Sequence, residues 1–264
     1  KSMDAIGVVL RNYEDALAGH PKPFDDLDTI TSDLLISDLM IVEKRLEKIA
    51  WHYQRGQKSP NLANEEQLLK KIHDQLDLNE PLDKLDLDST EKKLVKGFQF
   101  LTLKPMLIIL NSDEQRFTEE RKLLESIPGN YRLIELAGKF EMELAQFDDP
   151  NEIQLFMDDI GIKYSARDRL TRSAYEILGY ISFFTVGEDE VRAWNIKQDS
   201  TAAIAAGAIH TDLARGFIRA ECFHYQDLIK FGSEKTVRQN GKFRLEGKDY
   251  QVKDGDILSI RFNV

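Results

Sequence analysis

Leu35, Leu39, Val42, Leu46, Ile49 and Tyr53 recur at alternating spacings of four and three, the register of a helix that lays one seam against a partner. Glu43, Lys44, Arg45, Glu47 and Lys48 stand between them. Acid–base pairs three or four apart on such a face contribute about 0.2–0.5 kcal/mol each. The pattern predicts a helix over 30–53, ended by Gly56 and Pro60. Asn64 then offers a cap, Gln67 the reciprocal capping-box position, and Leu69, Ile72 and Leu76 a second seam. Together they predict a projecting helical hairpin, either an ordinary bundle arm or a dedicated docking arm.

The flanks read as strands. Asp4 to Leu10 is almost wholly apolar, which suits a strand buried on both faces of a sheet; its abrupt start suggests that an upstream element is missing. Met106 to Leu110 is a second such run, and it ends in Asn111-Ser112-Asp113-Glu114. Polar residues at the C-terminal edge of a strand are where open α/β sheets hold ligands. Residues 77–90 read as a loop leading to a helix begun near Ser89 or Thr90. Further expectations are a helix over 118–126, a strand over Tyr131–Leu136, and helices over 151–159 and 166–178, the last capped by Ser165. Beyond Gly179 come strands over 181–186, 191–196 and 216–223 and a short helix over 202–208. Tyr250-Gln-Val and 257–262 flank Asp254-Gly255, a hairpin cue. This last portion reads as a small, β-rich α+β module.

Composition sets outer bounds. Of 264 residues, 42% are hydrophobic and 31% charged, enough apolar material for a sizeable core. The net charge of −10 falls entirely on the first 180 residues, because 181–264 carry 12 acidic and 12 basic side chains. An acidic pI near 5.1 argues against coating duplex DNA. No apolar run approaches the roughly 18 residues of a membrane span, and the first residues lack the order of a signal peptide. The single cysteine, Cys222, excludes an intramolecular disulfide and fits a reducing cytoplasm.

Chemistry-bearing patterns are few. No G-x4-G-K-[ST] phosphate loop occurs. Gly241 to Gly247-Lys248 has one residue too many between its glycines and reads as a turn. Asp158-Asp-Ile-Gly161 matches D-x-x-G but sits at a helix end. In the 111–114 tetrad an amide and a carboxylate stand three apart, offering a purine a donor–acceptor pair and an acceptor; the competing reading is a brace for the strand exit. His210, His224 and Cys222 make at most three metal ligands where a structural zinc wants four, so no metal is expected. His210-Thr-Asp212 with Arg215 and Arg219 reads either as surface pairing or as an RNA or protein contact. Trp194 and Phe217 read as core anchors, or else as base-stacking platforms.

Several strings carry a resemblance: Asp4-Ala-Ile, Arg11-Asn-Tyr-Glu-Asp15, the helix around 38–48, Asn111-Ser-Asp-Glu114, Glu190-Val-Arg-Ala-Trp194, Gly207-Ala-Ile-His-Thr-Asp212 with Arg215-Gly-Phe-Ile-Arg-Ala220, the stretch 246–256, and Arg261-Phe-Asn-Val264. The chain resembles the Obg-like ATPase family, the YchF group of translation-associated P-loop NTPases. The resemblance implies a partial P-loop G-domain over 1–28 and 88–180, an inserted helical coiled-coil arm over 29–87, and a C-terminal α+β ubiquitin-like β-grasp TGS domain over 181–264. It also implies a cytoplasmic protein that associates with the ribosome or ribosomal RNA. The complete protein would bind and hydrolyse ATP in preference to GTP, with Mg²⁺.

Nucleotide base recognition would fall to Asn111 and Glu114, with Ala137 of Glu135-Leu-Ala-Gly138 backing the base. His210, Arg215 and Arg219 are candidates for the ribosome or RNA contact. In the family the phosphate loop, the switch segments and the magnesium ligands precede the strand that begins this chain, and none is present. Asn12 stands where many relatives have cysteine, and Ser112 where the usual tetrad has lysine. The chain alone is therefore expected to bind nucleotide weakly or not at all, to require no cofactor and to be inactive. The other reading is a non-enzymatic ribosome or RNA adaptor derived from this family. Neither a membrane nor duplex DNA is an expected partner.

Overall fold

In the computed structural model, residues 3–114, 116–117, 131–147, 149–159, 161–187 and 190–263 are described; the helix expected over 118–126 lies outside them. The chain forms two compact units, Lys1–Ile177 and Leu178–Val264. Among the described residues no helix is long and apolar enough to cross a membrane.

The first unit is built on three parallel strands in the order β1 (Ile6–Asn12), β2 (Met106–Ser112) and β3 (Tyr131–Leu136). The register sets Leu10 against Leu110 and Asn111 against Leu136. Val8, Leu10, Ile108 and Leu110 form one core with Leu27. The expectation that the first strand is buried on both faces is corrected here. Gly7 is exposed, Val9 is 63% exposed, and burial alternates with period two. Among the described residues β1 is one edge of this sheet, and the described core lies on its Val8–Leu10 face. The central β2, with Leu107 and Ile108 both buried, is covered on both faces. An apolar run reads the same in either position, so the pattern alone does not separate them.

Helix α1 (Pro23–Gln54) starts seven residues before the expected position. Pro23 pre-sets the first helical φ, and Asp25 and Asp26 lie in the first turn, where negative charge complements the helix dipole. The polar stretch that masks this start has hydroxyls turned back on the helix: Thr29, Thr31 and Ser32 donate to the carbonyls of Asp25, Leu27 and Asp28 at 2.8–2.9 Å. The heptad seam packs as expected. Leu35, Val42 and Ile49 are buried against Leu68, Leu69, Ile72 and Leu76 of α2 (Pro60–Asp77), with Leu39, Leu46 and Tyr53 partly buried beside them.

The turn between these helices corrects the expected caps. Gly56, at φ +73°, takes the chain out of α1. Pro60 opens α2 rather than closing α1, and Ser59, not Asn64, is the cap, its hydroxyl accepting from Leu62 N–H at 3.2 Å. Arg45 and Glu65 then bridge the two helices with paired bonds of 2.7 and 2.8 Å. A 3₁₀ turn (Leu82–Lys84) and α3 (Ser89–Val95), the latter with an Asp88/Glu91 capping box, extend the same core. The fully buried Asp38 carboxylate accepts from Leu101 N–H, Thr102 N–H and the Thr102 hydroxyl, each at 2.8 Å. It fixes α1 to the segment that leads into β2. After β3 come α4 (Gly138–Leu144), which the sequence reading lacks, then α5 (Pro150–Asp159) and α6 (Ala166–Ile177), capped by Ser165.

The second unit is a five-stranded mixed sheet. Its elements are β4 (Tyr180–Val186), β5 (Val191–Lys197), α7 (Ala202–Ile209), α8 (Thr211–Arg215), β6 (Phe217–His224), α9 (Tyr225–Phe231), α10 (Glu234–Gln239), β7 (Arg244–Glu246) and β8 (Asp256–Phe262). The strand order is β5-β4-β8-β6-β7, with β8 parallel to β4 and antiparallel to β6. Ala202 and Ala205 of α7 pack on Phe183, Ile196, Ala220, Cys222 and Leu258. The expected hairpin around Asp254-Gly255 is absent. Gln251 makes an isolated bridge to Thr201, Gly255 turns at φ +82°, and β8 leaves that turn to pair with β4 and β6. Local turn chemistry was legible, but the strand partner was set by the distant β4 and β6.

Candidate functional site

The three parallel strands of the first unit end together. At that edge β2 delivers Asn111 and Ser112, β1 delivers Asn12, and β3 runs through Ala137 into α4. Successive strand residues face opposite ways, so the tetrad splits. Ser112 turns inward and is buried: Asn12 Nδ2 donates to Ser112 Oγ at 3.0 Å, and Ser112 Oγ donates to Glu135 Oε1 at 2.7 Å. The hydroxyl thus occupies an interior network in which a lysine would not fit without displacing it. Asn12 Oδ1, fully buried, has no hydrogen-bond partner there.

Asn111 belongs to the open side. Its Oδ1 accepts from the Gly138 N–H at 3.0 Å. Glycine allows this close approach, because a Cβ at position 138 would lie 2.6 Å from Asn111 Oδ1 and the carboxamide would have to shift. The carboxamide is thereby fixed in one orientation, with the amide NH₂ left as the free donor. Beside it is a cavity of about 440 Å³ lined by Tyr13, Glu14, Asn111, Asp113, Lys139 and Met142, together with Ser112 and Gly138.

The walls are braced. Arg11 donates to the carbonyls of Tyr13 at 2.8 Å and Gly19 at 2.7 Å. Backbone N–H groups of Ala18 and Leu17 donate to Asp15 and hold its carboxyl below the usual range. The Arg116 guanidinium bonds Glu14 at 2.7 Å, while the Arg116 backbone N–H donates to Asp113 Oδ1. Glu114 lies exposed in the turn after β2, and Ala137 is buried at the N-cap of α4; neither lines the cavity itself. Sequence reasoning missed Gly138, Tyr13 and Lys139. The signal for Gly138 was a glycine directly after a strand, where close backbone approach is its usual purpose.

In the second unit His210 caps α8, its Nδ1 accepting from Asp212 N–H at 3.2 Å. Asp212 lies 3.5 Å from His210 and 3.9 Å from Arg215, so these three form one exposed cluster. Arg219 is exposed on β6 next to the core-facing Ala220, and no described contact joins it to that cluster. His224 caps α9, accepting from Gln226 N–H, and Cys222 is buried in the sheet core. Among the described residues no group of three or more His, Cys, Asp or Glu converges as a metal centre. Trp194 and Phe217 pack against the sheet core, and Trp194 Nε1 donates to Thr185.

Comparison with known proteins is consistent along the whole chain. A family model described as YchF-GTPase_C, protein of unknown function, matches residues 180–263. The "Ribosome-binding ATPase YchF" of Bacillus subtilis is 36% identical over 275 residues, covering all of this chain and 74% of that protein. The proteins of that name from Haemophilus influenzae and Escherichia coli O157:H7 are 37% and 35% identical with the same coverage. The structure of the Schizosaccharomyces pombe YchF GTPase superposes with a TM-score of 0.82 at 31% identity, covering 98% of this chain and 72% of that one. A shared mixed α/β fold with identity at this level along the full chain makes the protein a member of the YchF family.

Proposed function

We propose that this chain supplies the base side of a purine-nucleotide site in a cytoplasmic, ribosome-associated ATPase. The observation that carries the proposal is the Asn111–Gly138 bond at the rim of the strand-end cavity. With its oxygen committed, the Asn111 NH₂ can donate to a purine ring nitrogen. Glu114, in the exit turn after β2, is the acceptor for an exocyclic amino group, and Ala137 with Gly138 forms the backbone behind the base. Adenine and guanine both carry such an amino group, so ATP and GTP are both within this chemistry. Bound MgATP would bring the triphosphate of phosphoryl transfer; the residues of this chain fit the base, and no step of that reaction is assigned to them.

In this reading residues 1–28 and 88–180 are part of a G-domain, 29–87 its inserted coiled-coil arm, and 181–264 a β-grasp TGS domain. The seam of α1 on α2 supports a helical arm, and the change of unit at 177–178 supports a separate C-terminal domain. The relatives' name supports ribosome association, to which the exposed His210–Asp212–Arg215 cluster and Arg219 would contribute.

Adenosine and guanosine titrations followed by ¹⁵N chemical shifts test the base site. Binding without phosphates will be weak, and the shifts are expected at the Gly138 backbone amide and the Asn111 side-chain amide, and to be lost in Asn111→Ala. Shifts that ignore those two amides would contradict the assignment.

A further inference from the structure

The tip of the α1–α2 hairpin concentrates cations. From Lys48 to Asn64 the sequence has no Asp or Glu, while Lys48, Arg55 and Lys58 all lie there. That segment carries +3 in a chain whose first 180 residues account for its whole charge of −10. All three cations are exposed, and no ion pair to a described carboxylate uses any of them. They stand at the end of an arm whose second helix alone, at 18 residues, is about 27 Å long.

An aromatic lies at the same place. Trp51 is 46% exposed, a costly position for a large ring that the seam does not need. The Arg55 guanidinium lies over the Trp51 ring at 3.7 Å from its centroid, and His52 meets it edge-on at 5.1 Å. Glu47, Lys48, Trp51 and His52 line an open recess of about 450 Å³ against the ring. One side of the indole is therefore held by a cation while a recess remains beside it. Proteins that bind single-stranded nucleic acid use this combination, with aromatic faces for bases and cations for phosphates.

We propose that the hairpin tip is an RNA-docking surface, which takes an unpaired base against Trp51 and the flanking phosphates on Lys48, Arg55 and Lys58. This deepens the ribosome-association reading and rests on it for the source of the RNA, an exposed single-stranded segment of ribosomal RNA. The charge pattern favours RNA over a protein partner: the tip offers cations flanking a ring rather than a broad apolar patch.

The test uses the whole chain and a labelled single-stranded 12-nucleotide RNA, read by fluorescence anisotropy between 50 and 200 mM salt. Three phosphate contacts predict a slope of log K against log salt of about −2. Trp51→Ala should weaken binding by about tenfold or more, Trp51→Phe by less, and the Lys48→Glu/Lys58→Glu pair should abolish most of the slope. All of these positions are exposed, so unchanged circular dichroism is expected and separates binding from folding.

Oligonucleotide affinity that is absent, or indifferent to Trp51→Ala and the lysine changes, overturns the proposal. A loss of ribosome co-sedimentation in Trp51→Ala with RNA affinity unchanged also overturns it, and assigns the tip to a ribosomal protein. Failure of the unsubstituted chain to sediment with ribosomes would instead remove the association reading, while the oligonucleotide result still decides the tip.

Discussion

Asp38 shows how one side chain couples an arm to a sheet. Its carboxylate is the acceptor for two backbone N–H groups and a hydroxyl just ahead of β2. Asp38→Ala would leave those donors buried and unpaired, at a cost of about 2–4 kcal/mol. Urea unfolding followed by circular dichroism measures it, and a change below about 1 kcal/mol would contradict this role.

Cys222 makes the opposite kind of residue-scale prediction. Burial first, then the Asp256 carboxylate, pushes its thiol up to about 12. The folded state therefore keeps the neutral thiol, while the unfolded one ionises near its usual value of about 8.5. The resulting stabilisation is complete below that pH and is lost as pH rises toward 12. Native protein at pH 8 should leave the thiol unreactive to a maleimide, with full labelling after denaturation in urea; rapid native labelling would refute it. The sequence marked Asn12 and Ser112 as separate departures from the family pattern. Their relation, a hydrogen bond across β1 and β2 that continues to Glu135, needed the register.

At the scale of elements the hairpin was the most legible part, because a 3.5-residue seam states both the helix and the face it buries. Its limits were less legible. Thr29, Thr31 and Ser32 disfavour a helix by local propensity, yet their hydroxyls bond within the helix, and Pro60 reads as a stop until Ser59 is seen to cap the second helix. Helices α4, α9 and α10 are too short, at six or seven residues each, to show a period. Ile72, with no exposed surface, stands in the middle of the seam. Ile72→Ala should cost about 2–5 kcal/mol, seen as a lower urea midpoint for the helical signal. An unchanged midpoint would mean that the arm is not held by this seam.

For the whole molecule, the sequence predicts a sheet interrupted by a helical hairpin and followed by a second module; the structure divides into two units at 177–178. The mixed pairing of the second sheet was not readable, because β8 chooses its neighbours from strands up to about seventy residues away. The candidate site was half legible. Asn111 was marked by its place at a strand end and lines the cavity, Glu114 was marked with it and does not, and Gly138 and the cavity walls come from segments that meet there only in the folded chain.

The central claim is that this strand-end cavity recognises a purine base. Photolabelling of the whole chain with 8-azidoadenosine, with the adducts located by peptide mass spectrometry, tests it most directly. Adducts competed by adenosine are predicted on peptides containing Tyr13–Glu14, Asn111–Glu114 or Gly138–Met142. Labelling confined to other segments, or labelling that adenosine does not compete, would contradict it.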